Sequence, residues 1–111
     1  MLDNTKYIRF ELGVSSEHDR FVTGVETRPV IKSLVKKLVH SFQVNGWLMG
    51  MPAVVIKLPS DPTKFQVLDG QHRVLAAKEI GLPICFWETP DKLSSAQWNN
   101  LPFQRIVHPE N

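Results

Sequence analysis

Apolar positions recur at steps of three and four residues across 30–42. Val30, Ile31, Leu34, Val35, Leu38, Val39 and Phe42 share one helical face, with Lys32, Lys36, Lys37, His40 and Ser41 opposite. The spacing predicts a helix over 30–45. Thr27 can cap it, Pro29 suits its first turn, and Gly46 after Asn45 is a natural stop in the left-handed conformation. Upstream, residues 7–12 alternate, with Ile8, Phe10 and Leu12 on one side and Tyr7, Arg9 and Glu11 on the other, the period of a half-buried strand. Residues 13–27 hold Gly13, Ser15, Ser16 and Gly24 without a sustained period and predict a loop, with room for a short turn.

Downstream, residues 53–58 are apolar and β-branched, 59–64 are turn-forming, and 65–68 are again strand-like. Asp69-Gly70 interrupts this run, and 71–80 resumes helical spacing through Val74, Leu75 and Ala77 or Lys78 until Gly81; Pro83 bars continuation. Residues 84–87 read as a short apolar strand and Thr89-Pro90-Asp91 as a break. A short helix is expected over 92–100, with Leu93, Ala96 and Trp98 apolar, then a mobile tail at 101–111 that contains His108. This order predicts an α+β domain: a small mixed sheet with two main helices.

Composition narrows the class. A sequence of 111 residues with 42% hydrophobic and 22% charged side chains predicts one soluble domain over 1–111 with a single core. The longest apolar runs, such as 53–56, fall far short of the ~20 residues of a membrane span. The first residues, Met1-Leu2-Asp3-Asn4, do not resemble a signal peptide, so the expected compartment is the cytoplasm, with no membrane partner. Cys85 is the sole cysteine, which excludes an intrachain disulfide and a cysteine-based zinc cluster; on an apolar strand it is expected to be a buried thiol. The net charge of +2 conceals a basic segment, 28–46, where Arg28, Lys32, Lys36 and Lys37 meet no acid. Lys32, Lys36, Lys37 and His40 could contact a phosphate backbone or form a solvated face.

The stretch Asp69-Gly70-Gln71-His72-Arg73 carries the chemistry. A strand ending at Leu68 and a helix starting near Gln71 leave the first helical amides, at Gly70, Gln71 and His72, pointing outward as an anion site. Glycine admits a phosphate close to the backbone, and His72 and Arg73 add donors, Arg73 with a permanent charge and a bidentate fork. On spacing alone the same residues fit a turn in which Asp69 merely caps the helix and His72 and Arg73 are solvated.

This motif, followed by Ala76-Ala77-Lys78, resembles the DGQHR-type motif of the ParB/sulfiredoxin superfamily, whose ParB members carry GERR followed by alanines. The order of helix, glycine, strand, hairpin, motif helix and short strand over 28–88 matches as well. The resemblance implies a phosphate site at the start of the motif helix, with Gly70 at the motif glycine, Gln71 at the acidic position of GERR, and His72 and Arg73 at its arginines. Asp69 matches the aspartate of the DGQHR and DGHHR variants, free serine kinases among them, where that acid is tied to catalysis or magnesium. Arg28 before Pro29 resembles an arginine near the first ParB box, and Trp47, beside Met49-Gly50, could cover a base.

The departures limit what carries over. Sulfiredoxins hold a reactive cysteine where Gln71 stands, so their chemistry is excluded. ParB clamps add a DNA-reading helix-turn-helix and a dimerisation domain, for which 111 residues leave no room. The segment resembling GLLQP reads Gly46-Trp47-Leu48-Met49-Gly50-Met51-Pro52, longer and without the glutamine.

Three functions follow. The first is a ParB-like domain that binds a nucleotide or nucleic-acid phosphate through Gly70, Gln71, His72 and Arg73, with Arg28 and Trp47 as further contacts, in a DNA-related process. The second is a magnesium-dependent enzyme acting on ATP, CTP or a phosphodiester: a nucleotide hydrolase, kinase or nuclease with Asp69 as metal ligand or base, His72 as its catalytic partner, and His72 and Arg73 stabilising the developing charge. Glu11 and Glu26 are the other acids that could join Asp69, and His18-Asp19-Arg20 is a polar trio that could approach it. The third is a protein-interaction or inhibitor role, with a partner protein or a second copy meeting Trp98 and the tail.

Overall fold

The structure is a computed structural model in which residues 11–25, 28–48 and 51–89 are described. Among them, five strands form one mixed sheet in the order β1-β5-β3-β4-β2. The strands are β1 (Glu11–Ser15), β2 (Phe21–Val22), β3 (Ala53–Leu58), β4 (Asp61–Asp69) and β5 (Ile84–Glu88), and the helices are α1 (Lys32–Asn45) and α2 (Gln71–Ile80). β3 runs antiparallel to β4 and parallel to β5; β1 closes one edge antiparallel to β5, and β2 the other, parallel to β4. The expected α+β architecture with two main helices is therefore observed.

The four apolar residues that open β3, Ala53 to Ile56, are all buried, as befits an interior strand covered on both faces. Ala53, Val55 and Val67 join Val74, Ala76 and Ala77 of α2 in one core cluster. Alanines at 76 and 77 let the helix approach the sheet closely. α1 packs chiefly on α2 rather than on the sheet, so only its Phe42 is fully buried while Leu34, Val35, Leu38 and Val39 are half-covered. α2, with neighbours on both sides, is buried round much of its circumference and shows little amphipathic contrast. No helix among the described residues is long and apolar enough to cross a membrane.

Three boundaries differ from the pattern-based expectation. Residues 13–15 extend β1, and 18–22 form a 3-10 turn (His18–Arg20) and β2 rather than open loop, because cross-strand partners (Val14 with Cys85, Phe21 with Phe65) supply what the local sequence lacks. The loop expected at 59–64 shrinks to a turn at Pro59-Ser60: Asp61 already pairs with Leu58, and its Oδ1 accepts from the Thr63 N–H and Oγ1–H at 3.1 and 2.6 Å. Pro62, Thr63 and Lys64 fall in the register slip between paired Asp61 and Phe65, where a missing proline N–H breaks no ladder bond. Finally, α1 starts at Lys32, not Val30, and Pro29 precedes it; Val30 and Ile31 remain exposed. The strand expected at 7–10, the Thr27 cap, the 92–100 helix, Trp98 and the 101–111 tail lie outside the described residues.

Candidate functional site

β4 delivers Asp69 and then Gly70, whose φ of +84° and ψ of 26° lie in the left-handed region. This conformation turns the chain from strand into α2 within one residue. A Cβ there would lie 3.1 Å from Ala53 Cα and 3.3 Å from Arg73 Nη1, so glycine is favoured by its dihedrals and by the close approach of its neighbours. Gly70 is the N-cap, and its carbonyl accepts the Val74 N–H at 3.0 Å. The N-cap position is thus filled by a residue without a side chain, and Asp69 stands one position before it. The motif side chains are not solvated: Gln71 and His72 are 0% exposed and Arg73 7%, while Asp69 is half-buried.

Gln71 and His72 reach the segment that precedes α1. Gln71 Nε2 donates to the Arg28 carbonyl, and His72 Nε2 accepts the Ile31 N–H at 2.9 Å. An imidazole nitrogen that accepts carries no proton, so this bond requires a neutral His72 protonated on Nδ1. Together the two side chains bind residues 28–31 to the start of α2. Arg28 is thus brought to the motif through its main chain while the residue itself stays exposed.

Arg73 occupies different ground. Its Nη1 lies over Gly70, and the residue lines a cavity of about 520 Å³ whose walls include Leu34, Leu38 and Phe42 of α1 together with Trp47 and Met51. The Trp47 ring stacks on Phe42 at 5.0 Å and 17°, and its Nε1 donates to the Met51 carbonyl at 2.9 Å, so the wall is held in shape from both sides. The cavity and the α2 N-terminus meet at Arg73. Sequence reasoning singled out Trp47 here but missed Leu34, Leu38 and Met51, whose apolar character reads as core.

Other polar groups are brought elsewhere. Among the described residues no three His, Cys, Asp or Glu gather as a metal cluster. Glu11 stands on edge strand β1, three strand spacings or about 14 Å from the line of β4 that ends in Asp69; Glu26 lies outside the described residues. The trio at 18–20 is structural: a His18 Nε2 to Leu82 carbonyl contact at 2.7 Å, Arg20 Nε donating to the Thr63 carbonyl at 3.1 Å, and the Arg20 guanidinium 4.7 Å above the Phe65 ring. Lys78, which closes the Ala76-Ala77-Lys78 run after the motif, sends its Nζ to the Phe21 carbonyl at 2.5 Å, and burial lowers its pKa against a smaller opposing pull from Asp19. Cys85 is buried on β5, and desolvation raises its thiol pKa.

No family model and no curated protein matches this sequence. Among solved structures, the C-terminally truncated chromosome-partitioning protein ParB from Caulobacter crescentus, complexed with CTP-gamma-S, is similar with a TM-score of 0.70 at 17% identity. The two chains share a fold. The match covers 88% of this chain and 55% of that one, so the present chain spans just over half the length of the ParB structure.

Proposed function

We propose that this ParB-like domain binds a nucleotide, with its phosphates over Gly70 and Arg73 and its base and ribose in the cavity toward Trp47. The observation that carries this reading is the position of Arg73, a residue 7% exposed whose guanidinium lies over the glycine of a helix N-terminus and which borders an apolar cavity. Such a buried cation suits a ligand anion, and the α2 dipole favours negative charge at the same point. The cavity, about 520 Å³, has the size of a small-molecule site. A phosphate backbone alone needs no such apolar enclosure, which favours a free nucleotide over a nucleic-acid strand. The ParB of like fold, complexed with CTP-gamma-S, supports the same choice.

Gln71 and His72 then act as positioning residues that hold residues 28–31, and the anion contacts fall to the Gly70 region and Arg73. Asp69, next in sequence to Gly70 and half-buried, adds a carboxylate beside the proposed phosphates, whose own charge calls for neutralisation by a cation. A magnesium ion held by Asp69 and phosphate oxygens would supply that neutralisation, consistent with magnesium's habit of taking one or two carboxylates plus substrate phosphates. The same carboxylate keeps the hydrolytic alternative open.

Titration calorimetry with CTP and with ATP, each with magnesium, tests the proposal. Arg73→Ala should weaken binding by about 1.5–3 kcal/mol, the range for hydrogen bonds to a charged group. Unchanged affinity in that variant would sink the assignment. Phosphate release that disappears in Asp69→Asn would mark an enzyme; tight binding without release marks a binding module.

A further inference from the structure

A second groove lies on another flank of α1, away from the Arg73 cavity. Its volume is about 490 Å³, and Val30, Val35 and Leu75 give it an apolar floor between α1 and α2. Lys32 and Lys36 stand on one rim, Lys78 and Glu79 on the other. Val30 is 46% exposed, although α1 and α2 otherwise pack closely. α1 itself carries Lys32, Lys36 and Lys37 without a single acid.

From this combination we infer that the groove docks an acidic amphipathic segment of a partner protein. Its apolar side chains, at helical spacing, would cover Val30, Val35 and Leu75, and its carboxylates would face Lys32 and Lys36. Burial of the apolar floor supplies affinity, while the lysine rim selects acidic partners and speeds their encounter. A nucleic-acid backbone fits less well. Phosphate contacts leave an apolar floor uncovered. The Lys78 ammonium is engaged by the Phe21 carbonyl, so its stem serves the groove as apolar wall while Lys32 and Lys36 provide the charge. Nothing in this inference depends on nucleotide binding at Arg73.

The probe is a fluorescein-labelled synthetic helix of about 16 residues, with leucines at three- and four-residue spacing and glutamates elsewhere, followed by anisotropy against the intact chain. Saturable binding is expected, weakened by about tenfold or more in the exposed double variant Lys32→Glu/Lys36→Glu, with nucleotide titrations unchanged. A peptide of equal composition with its leucines scrambled, and one with lysine for every glutamate, should each bind at least about tenfold more weakly to the unaltered chain. These two measurements need no variant. The inference is overturned if the acidic helix fails to bind, if the scrambled peptide binds equally well, or if a short DNA duplex displaces the helix at equal concentration.

Discussion

The Nε2 of His72 accepts the main-chain N–H of Ile31 at 2.9 Å, which ties the motif helix to the residue that begins α1. Ile31 is the N-cap of α1 and offers no side-chain hydrogen bond; its carbonyl takes the Leu34 and Val35 N–H groups at 3.1 and 3.2 Å. The helix therefore starts where a tertiary contact fixes the chain, not where a capping residue would start it. Replacing His72 with alanine would strand the Ile31 N–H and open a cavity in fully buried surroundings. We expect His72→Ala to destabilise the fold by about 2–4 kcal/mol in urea titrations, where a solvated first-turn histidine would cost almost nothing.

Gly70 offers a sharper test because two constraints converge there. At φ +84° an L side chain is strained, and its Cβ would press on Ala53 Cα and on Arg73 Nη1. Ala53 is main chain within the sheet and cannot yield, whereas the arginine can. Gly70→Ala should thus lose about 1–3 kcal/mol of stability and, beyond that, displace the guanidinium. Nucleotide affinity measured at a temperature where the variant remains folded should fall as far as in Arg73→Ala; retention of full affinity would detach Gly70 from the site.

Lys78 links burial to alkaline pH. Its pKa is lowered chiefly by desolvation, so the unfolded chain binds the proton more tightly than the folded one. Stability contributed by this group therefore rises as pH climbs from the folded pKa toward the ordinary lysine value, and is flat outside that window. The difference in urea midpoint between the parent and Lys78→Met should shift in the parent's favour across that interval. A constant difference would mean that the ammonium is not desolvated in solution.

β3, β5 and α2 were legible because their information is local. The run at 53–56 is apolar on both faces, and the glycines at 70 and 81 bracket a helix with the expected ends. β2 and the start of α1 were not, since Phe21 owes its strand state to Phe65, 44 positions away in the register, and Ile31 owes its place to His72. The motif was visible as a motif, but its division of labour was not. Gln71, His72 and Arg73 look equivalent in sequence as polar residues in a first turn; only packing sends two of them to the 28–31 segment and the third to a cavity. The apolar residues of that cavity were invisible for the opposite reason: Leu34 and Leu38 fit the core stripe of α1 and face a space also lined by Trp47, Met51 and Arg73.

Cys85 should be chemically silent in the native state. It is 3% exposed on β5, and burial raises its pKa, so little thiolate forms near neutral pH. Reaction with a disulfide reagent is expected only when the chain unfolds, at a rate that follows denaturant. Stoichiometric labelling within seconds under native conditions would contradict the buried strand position.

Separating the base from the phosphates is the remaining step for the nucleotide site. Leu38 lines the cavity on α1 and is half-buried, so a larger side chain there can occupy the space without entering the central core. Leu38→Trp should weaken CTP or ATP by about tenfold or more by excluding the base. It should leave inorganic triphosphate within about twofold, since Arg73 and the α2 N-terminus stay in place. Arg73→Ala should weaken both ligands. Equal loss of both in Leu38→Trp would mean that the phosphates, not the base, fill the cavity, and the ligand would then have to be turned end for end.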